Sequence, residues 1–306
     1  MLNARGAGNL QSAASRRTFY EYRAIQLPVC LTTRRVSYLC LPEWIDPPWK
    51  PLEPNSSSLM QTLIDLAFQL PVLMETFDKT RISMQLNTSD IENSQQILNE
   101  IKNNTLGIEN AIEAWDSKIH RGDEKSTLFI ENSPGSLESL KDETPVPYAT
   151  TYTFPSFEIA AALMYSEMVK IFLYQLIIDL ATCARGCSIV GSDTFPDINI
   201  EEYTTKATES ADKICQSANY FLETHKRMIG RMVFLNPFAA AKSLLNGLNK
   251  TRTGDPGKDA VLKMKTEYCE AVNSRCKAEG LPVWHGMRLS ADSFSRHRIT
   301  TSKVYF

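Results

Sequence analysis

Apolar residues along this chain recur at steps of three and four and almost nowhere at steps of two, a pattern that predicts helices and little strand. Over 57–77, Leu59, Leu63, Leu66, Leu70, Leu73 and Phe77 share one helical face. Ser57 or Ser58 is placed to cap that helix, and Pro71 to kink or split it. Ser89-Asp90-Ile91-Glu92 reads as a capping box. Behind it, Ile91, Leu98, Ile101, Ile108, Ile112, Trp115 and Ile119 form the clearest periodic run in the chain. They predict one long amphipathic helix over about 90–120, weakened at Gly107.

Gly122, Pro134, Gly135, Pro145 and Pro147 punctuate a polar stretch, so 121–154 is expected to be a long loop. From Phe157 to Cys183 the chain is apolar on nearly every side. A membrane span is one reading, but Glu158, Glu167, Lys170 and Asp179 interrupt it. A charge at the bilayer centre costs ~2.5–3.5 kcal/mol, so a central helix enclosed by other helices is the better reading. Gly186, Gly191 and Pro196 mark a loop, after which helical spacing resumes through Ala207, Ala211, Ile214, Ala218, Phe221 and Leu222.

A further helix is expected to follow Asn236-Pro237, with proline in its first turn, and to run through Leu244, Leu245 and Leu248. A polar break at 249–258 leads to a last helix from Asp259 to Ala278, closed by Gly280 and Pro282. The expected architecture is all-α: a multi-helix domain over 1–285 around a central apolar helix, then a polar, flexible tail at 286–306.

Composition narrows the field without naming a function. Lys+Arg number 33 against 35 Asp+Glu, a net charge of -2 that argues against a basic nucleic-acid-binding body. Cysteines 30, 40, 183, 187, 215, 269 and 276 are too few and too scattered for a disulfide scaffold. Their odd count, with no secretory signal in the text, favours a reducing compartment. The sequons at Asn55, Asn87, Asn103 and Asn249 therefore say nothing about glycosylation. Arg5, Arg16 and Arg17, with no acid before Glu21, suit a transit peptide or a basic first helix, and the helix is preferred.

Candidate chemistry is sparse. Cys183 and Cys187 lie about one turn apart, but a zinc site needs four ligands and no second Cys/His pair stands near, so buried thiols are expected. Cys269 and Cys276, seven apart on one helical face, read the same way. His120, His225, His285 and His297 are solitary. Gly186-Cys187-Ser188-Ile189-Val190-Gly191 has one residue too many for a nucleophile elbow. Gly254-Asp255-Pro256-Gly257-Lys258 has Asp259 where a phosphate loop needs Ser or Thr, and Gly6-Ala7-Gly8 lacks the third glycine of a dinucleotide fingerprint. Glu167 and Lys170 form an i,i+3 pair that more often neutralises itself in a bundle than catalyses. No catalytic, cofactor-binding or metal residue is assigned, and the chain is expected not to be an enzyme.

Several stretches together carry a resemblance. Met1-Leu2-Asn3-Ala4-Arg5-Gly6-Ala7 is followed by Phe19-Tyr20-Glu21-Tyr22-Arg23, then by Arg35, Pro42-Glu43-Trp44 and Pro48-Trp49, then by the Leu-rich 59–77 segment. Later come the apolar helix of 157–182, Ala211 with Ile214, Tyr220-Phe221, Gly230, and Val233-Phe234-Leu235-Asn236-Pro237-Phe238. In this order they resemble the middle and C-terminal regulatory region of fungal zinc-cluster (Zn(II)2Cys6) transcription factors, over residues 1–285. Members of that family carry six closely spaced cysteines that hold two zinc ions and read DNA, and this sequence has no such array.

The resemblance implies a nuclear regulatory domain that senses an effector and contacts protein partners, full-length family members among them. With the cysteine array missing, no zinc of its own and no sequence-specific DNA binding are expected, and the charges within 157–183 argue against membrane association; a cytoplasmic location is the alternative. The resemblance also places residues 1–23 in the domain body. Two rival readings are a helical scaffold without transcriptional role and an all-α enzyme with an apolar pocket beside 157–182. Tyr165, Phe172 and Tyr174 could line an effector pocket there, although stacked core aromatics are the commoner outcome.

Overall fold

Ser12 opens the first helix, α1 (Ala13–Thr33), by accepting a hydrogen bond from the Ser15 amide at 3.1 Å. The structure is a computed structural model that describes residues 6, 8, 10, 12–46, 58–86, 91–121, 129–131, 147–148, 150–186, 198–222, 227–251 and 254–278. The tail at 286–306, the capping-box residues Ser89 and Asp90, and the Gly280-Pro282 stop signal lie outside the described residues. Helix α1 ends at Arg34, whose left-handed φ of 53° turns the chain back so that the Arg35 amide reaches the Cys30 carbonyl. A 3-10 turn (Tyr38–Cys40) and the short α2 (Pro42–Ile45) follow. They lay Trp44 against Phe19 at 5.4 Å and edge-on to Tyr38 at 5.2 Å.

The expected 57–77 helix is two helices, α3 (Leu59–Ala67) and α4 (Leu70–Gln85). Ser58 caps the first, and Pro71 sits in the first turn of the second, where a missing amide breaks no helical hydrogen bond. Helix α5 (Ile91–Arg121) is the long helix the periodicity predicts. Its apolar face, Leu98 through Ile119, is buried, and Gly107 lies in open space on the other side. Within the expected loop of 121–154, the described residues form a small antiparallel ribbon instead of a bare connection. Strand β1 (Phe129–Glu131) pairs with β2 (Thr151–Thr153), Phe129 opposite Thr153.

Helix α6 (Phe157–Gly186) is the centre of the fold, in contact with α3, α4 and α5 and with α7 (Ile200–Gln216) and α9 (Arg227–Thr251). Its stretch Phe157–Arg185 has the length and mean hydropathy, 1.4, of a membrane span, yet its most apolar window is wholly buried among the other helices. Ser217 separates α7 from the short α8 (Ala218–Leu222), so the spacing over 207–222 belongs to two helices.

Two boundaries differ from expectation. The sequence pattern puts Pro237 in a first helical turn, but α9 begins at Arg227 and carries Pro237 inside it. Phe234 stacks on Phe238 and on Phe221 of α8, each at 5.3 Å, and that packing keeps the preceding turns helical although proline removes an amide. The last helix, α10 (Pro256–Ala278), starts three residues before Asp259. Asp255 Oδ1 accepts from the Gly257 and Lys258 amides at 2.9 and 3.3 Å, and Pro256 begins the first turn. The segment that imitates a phosphate loop is thus a helix cap, with Gly254 at φ 78° turning into it.

Candidate functional site

Helix α6 buries five polar side chains, Ser166, Glu167, Lys170, Gln175 and Asp179, in an otherwise apolar surface. Buried charge is costly unless paired, so the neighbouring helices must supply partners. The expected pair of Glu167 and Lys170 forms, at 3.0 Å. Lys170 also binds Asp116 of α5, and Ser166 donates to the same carboxylate at 3.1 Å. Lys213 of α7 closes the cluster on Glu167 at 3.2 Å. Burial works against the Lys170 ammonium, but Glu167 and Asp116 outweigh it and leave its pKa raised. Two acids and two bases balance in this cluster, which therefore stores no net charge. Glu167 Oε2 is buried without a hydrogen-bond partner among the described residues.

Further along α6, Gln175 donates to Asp179 at 2.9 Å, and Asp179 faces Arg34 at 3.4 Å. Arg34 also forks onto Asp78 of α4 with bonds of 2.8 and 3.0 Å. The left-handed residue that ends α1 thereby ties three helices together. A third cluster joins α5 and α7: Glu109 accepts from Tyr203 at 3.1 Å and from Lys206 at 3.0 Å. The Lys206 ammonium lies 4.8 Å from the Tyr203 ring centre. Burial, with Glu109 alongside, pushes the Tyr203 phenol up to about 12. Arg23, 1% exposed, binds Asp65 at 2.6 Å and lies between the Phe19 and Phe68 rings at 5.5 and 5.1 Å.

The aromatic residues weighed as a pocket lining, Tyr165, Phe172 and Tyr174, are all buried in the core. Tyr165 donates to the Ala24 carbonyl at 3.3 Å, and Tyr174 packs against Tyr203 at 5.8 Å. Cys183 is half-buried, while Cys187 and the four histidine side chains lie outside the described residues. Cys269 and Cys276 are buried on α10, as the sequence suggested. What the spacing hid is that Cys269 touches Cys215 of α7, with the sulfurs 3.6 Å apart. Tyr268 donates to the Cys215 carbonyl at 3.3 Å and meets Tyr148 edge-on at 5.4 Å. Tyr148 in turn donates to Asp212, which Lys265 also binds at 2.6 Å.

Sequence reasoning found the Glu167 and Lys170 pair because both lie on one helix. It missed Asp116, Lys213 and the two-thiol contact because those partners come from elsewhere in the chain. Among the described residues, no three His, Cys, Asp or Glu side chains are grouped to hold a metal ion. The first two clusters fasten α5, α7, α4 and the end of α1 to α6, and the third joins α5 to α7. No family model matches this chain, and neither a curated protein nor a solved structure matches it.

Proposed function

We propose that this chain is a transcription-regulator-like helical domain, similar to the effector region of fungal zinc-cluster transcription factors, with no six-cysteine array in these 306 residues. It acts in the nucleus through protein partners, full-length relatives among them, and no side chain is given a catalytic or metal-binding role. The observation that carries the reading is the way its resembling segments join. Arg34, beside the Arg35 of the motif, binds Asp78 and Asp179, and Trp44 packs on Phe19 within the core. The described parts of these stretches thus belong to one body organised on the apolar helix α6, while Pro48-Trp49 and most of Met1–Ala7 lie outside the described residues.

The test is localisation together with chromatin association. Tagged chain is expected to concentrate in the nucleus and to co-purify with promoter-bound proteins, while the isolated protein shows no sequence-specific DNA shift. Zinc in the purified chain is expected to be substoichiometric; two tightly held zinc ions per molecule would overturn the reading. A scaffold role is the second reading, favoured by the exposed apolar side chains Ile82 and Leu86 at the end of α4. Uniform cytosolic distribution with partners unrelated to transcription would select it.

A further inference from the structure

Cys215 and Cys269 are 54 residues apart in sequence, yet their sulfurs are in van der Waals contact at 3.6 Å across α7 and α10. Both thiols are free and both are buried. A disulfide needs the sulfurs at about 2.05 Å, so closure from 3.6 Å asks each sulfur to move by about 0.8 Å. A weak S–H···S contact is all that the two reduced thiols gain from lying side by side. We propose that Cys215 and Cys269 form a reversible dithiol–disulfide pair that, when oxidised by a peroxide, bolts α10 covalently to α7.

The surroundings suit that chemistry. Tyr148 stands outside any helix and is only partly buried. It is held by its bond to Asp212 and by edge contact with Tyr268, whose hydroxyl is anchored on Cys215. Displacement of this one ring, which unwinds no helix, is the proposed route to the sulfurs. The charges near Cys269 come from Lys242 and Glu270, which bind one another at 2.9 Å and largely cancel.

One of the two thiols gives up its proton and its sulfur attacks hydrogen peroxide; the O–O bond breaks, a sulfenic acid forms, and the departing hydroxide takes up that proton as water. The second sulfur then attacks the sulfenic sulfur, an S–S bond forms, and the S–O bond breaks. The proton of the second thiol leaves with the departing hydroxide as water. Two thiols are oxidised, one peroxide is reduced, and two waters form. Contact with Cys215, and burial, hold the Cys269 thiol well above its ordinary pKa.

The test uses the full chain. Native protein is treated with hydrogen peroxide, quenched with catalase and alkylated, then digested without reductant and mapped by mass spectrometry. The expected result is one cross-linked peptide pair joining Cys215 to Cys269, a melting temperature higher by several degrees, and reversal of both by dithiothreitol. Tyr148→Ala is expected to speed cross-linking severalfold, with helix content unchanged by circular dichroism. Cys269→Ser and Cys215→Ser are each expected to abolish the cross-link and to leave the remaining thiol trapped as a sulfenic acid that a dimedone probe labels. The proposal is overturned if Cys215 and Cys269 both remain alkylatable after the peroxide has oxidised Cys183. It is equally overturned if Cys215 pairs instead with Cys276, or if it proceeds to sulfinic acid beside an unmodified Cys269.

Discussion

The Tyr165 hydroxyl of α6 donates to the Ala24 carbonyl of α1, and Ala24 is the carbonyl that Pro28, four residues on, has no amide to serve. A proline inside a helix normally leaves such an oxygen without a partner. Here the central helix supplies the missing donor, so α1 passes through Pro28 unbroken. Tyr165→Phe is expected to cost about 1 kcal/mol in urea unfolding, the usual net value of one such hydrogen bond. In a Pro28→Ala background the restored amide can take the oxygen, and the cost of Tyr165→Phe is expected to shrink. An equal penalty in both backgrounds would show that the two residues are not coupled.

Lys170 and Lys213 share Glu167 but differ in exposure, since the Lys213 side chain is 47% exposed. Lys170→Met leaves Asp116 and Glu167 buried with a partner gone, and is expected to cost roughly 3–5 kcal/mol. Lys213→Met removes only a screened contact and is expected to cost less than about 1 kcal/mol. Denaturant melts of the two variants decide the matter, and similar losses would mean that the cluster is solvated.

At alkaline pH the buried phenols become the weak point. Burial raises Tyr165 to about 12, and burial also raises Tyr38 and Tyr203 to about 12, against an ordinary value of 10.0. The protonated phenol is the form that the fold favours. Its contribution is therefore complete below pH 10 and is lost as pH rises from there through about 12. Thermal melts are expected to fall steadily across that window. Tyrosinate absorbance of the folded protein is expected to titrate later than in the denatured chain.

On the acid side the expected contributor is Glu75. Hydrogen bonds from Lys79 and from the Val36 amide, the latter at 2.6 Å, hold its carboxyl below the ordinary 4.5. The charged form is favoured here, so the contribution exists above pH 4.5 and disappears as pH falls through the lowered pKa. Glu75→Gln is expected to flatten the acid limb of a stability–pH curve while leaving the alkaline limb alone. An unchanged acid limb would remove Glu75 from the account.

Arg34 sets two effects against each other. Arg34→Gly relieves a left-handed backbone worth roughly 1–2 kcal/mol, but it strips the fork from Asp78 and the partner from buried Asp179. Loss of a buried partner costs about 3–5 kcal/mol, so a net destabilisation of roughly 2 kcal/mol is expected. A gain in stability on thermal unfolding would show that the backbone term wins.

How far the sequence could be read depended on where each partner lay. The helices over Leu98–Ile119 and Phe157–Arg185 were legible because an amphipathic or wholly apolar surface is written every three or four residues. Breaks were less legible. Pro237 signals a helix start in isolation, but stacked Phe221, Phe234 and Phe238 override it, and that stacking exists only after α8 and α9 meet. The start of α10 is a local matter of Asp255 and Pro256, and their pattern could have placed it.

By itself, then, the sequence determined the all-α class, the long α5 and the burial of α6, because periodicity and net apolarity are properties of short stretches. It also paired Glu167 with Lys170, since one helical turn brings them together. Only the tertiary structure decided that Asp116 and Lys213 complete that pair, that Tyr165 serves the carbonyl left by Pro28, and that Cys215 touches Cys269. Each of those contacts joins residues more than forty positions apart. Their distance is set by how helices cross, and crossing leaves no periodic trace in the chain.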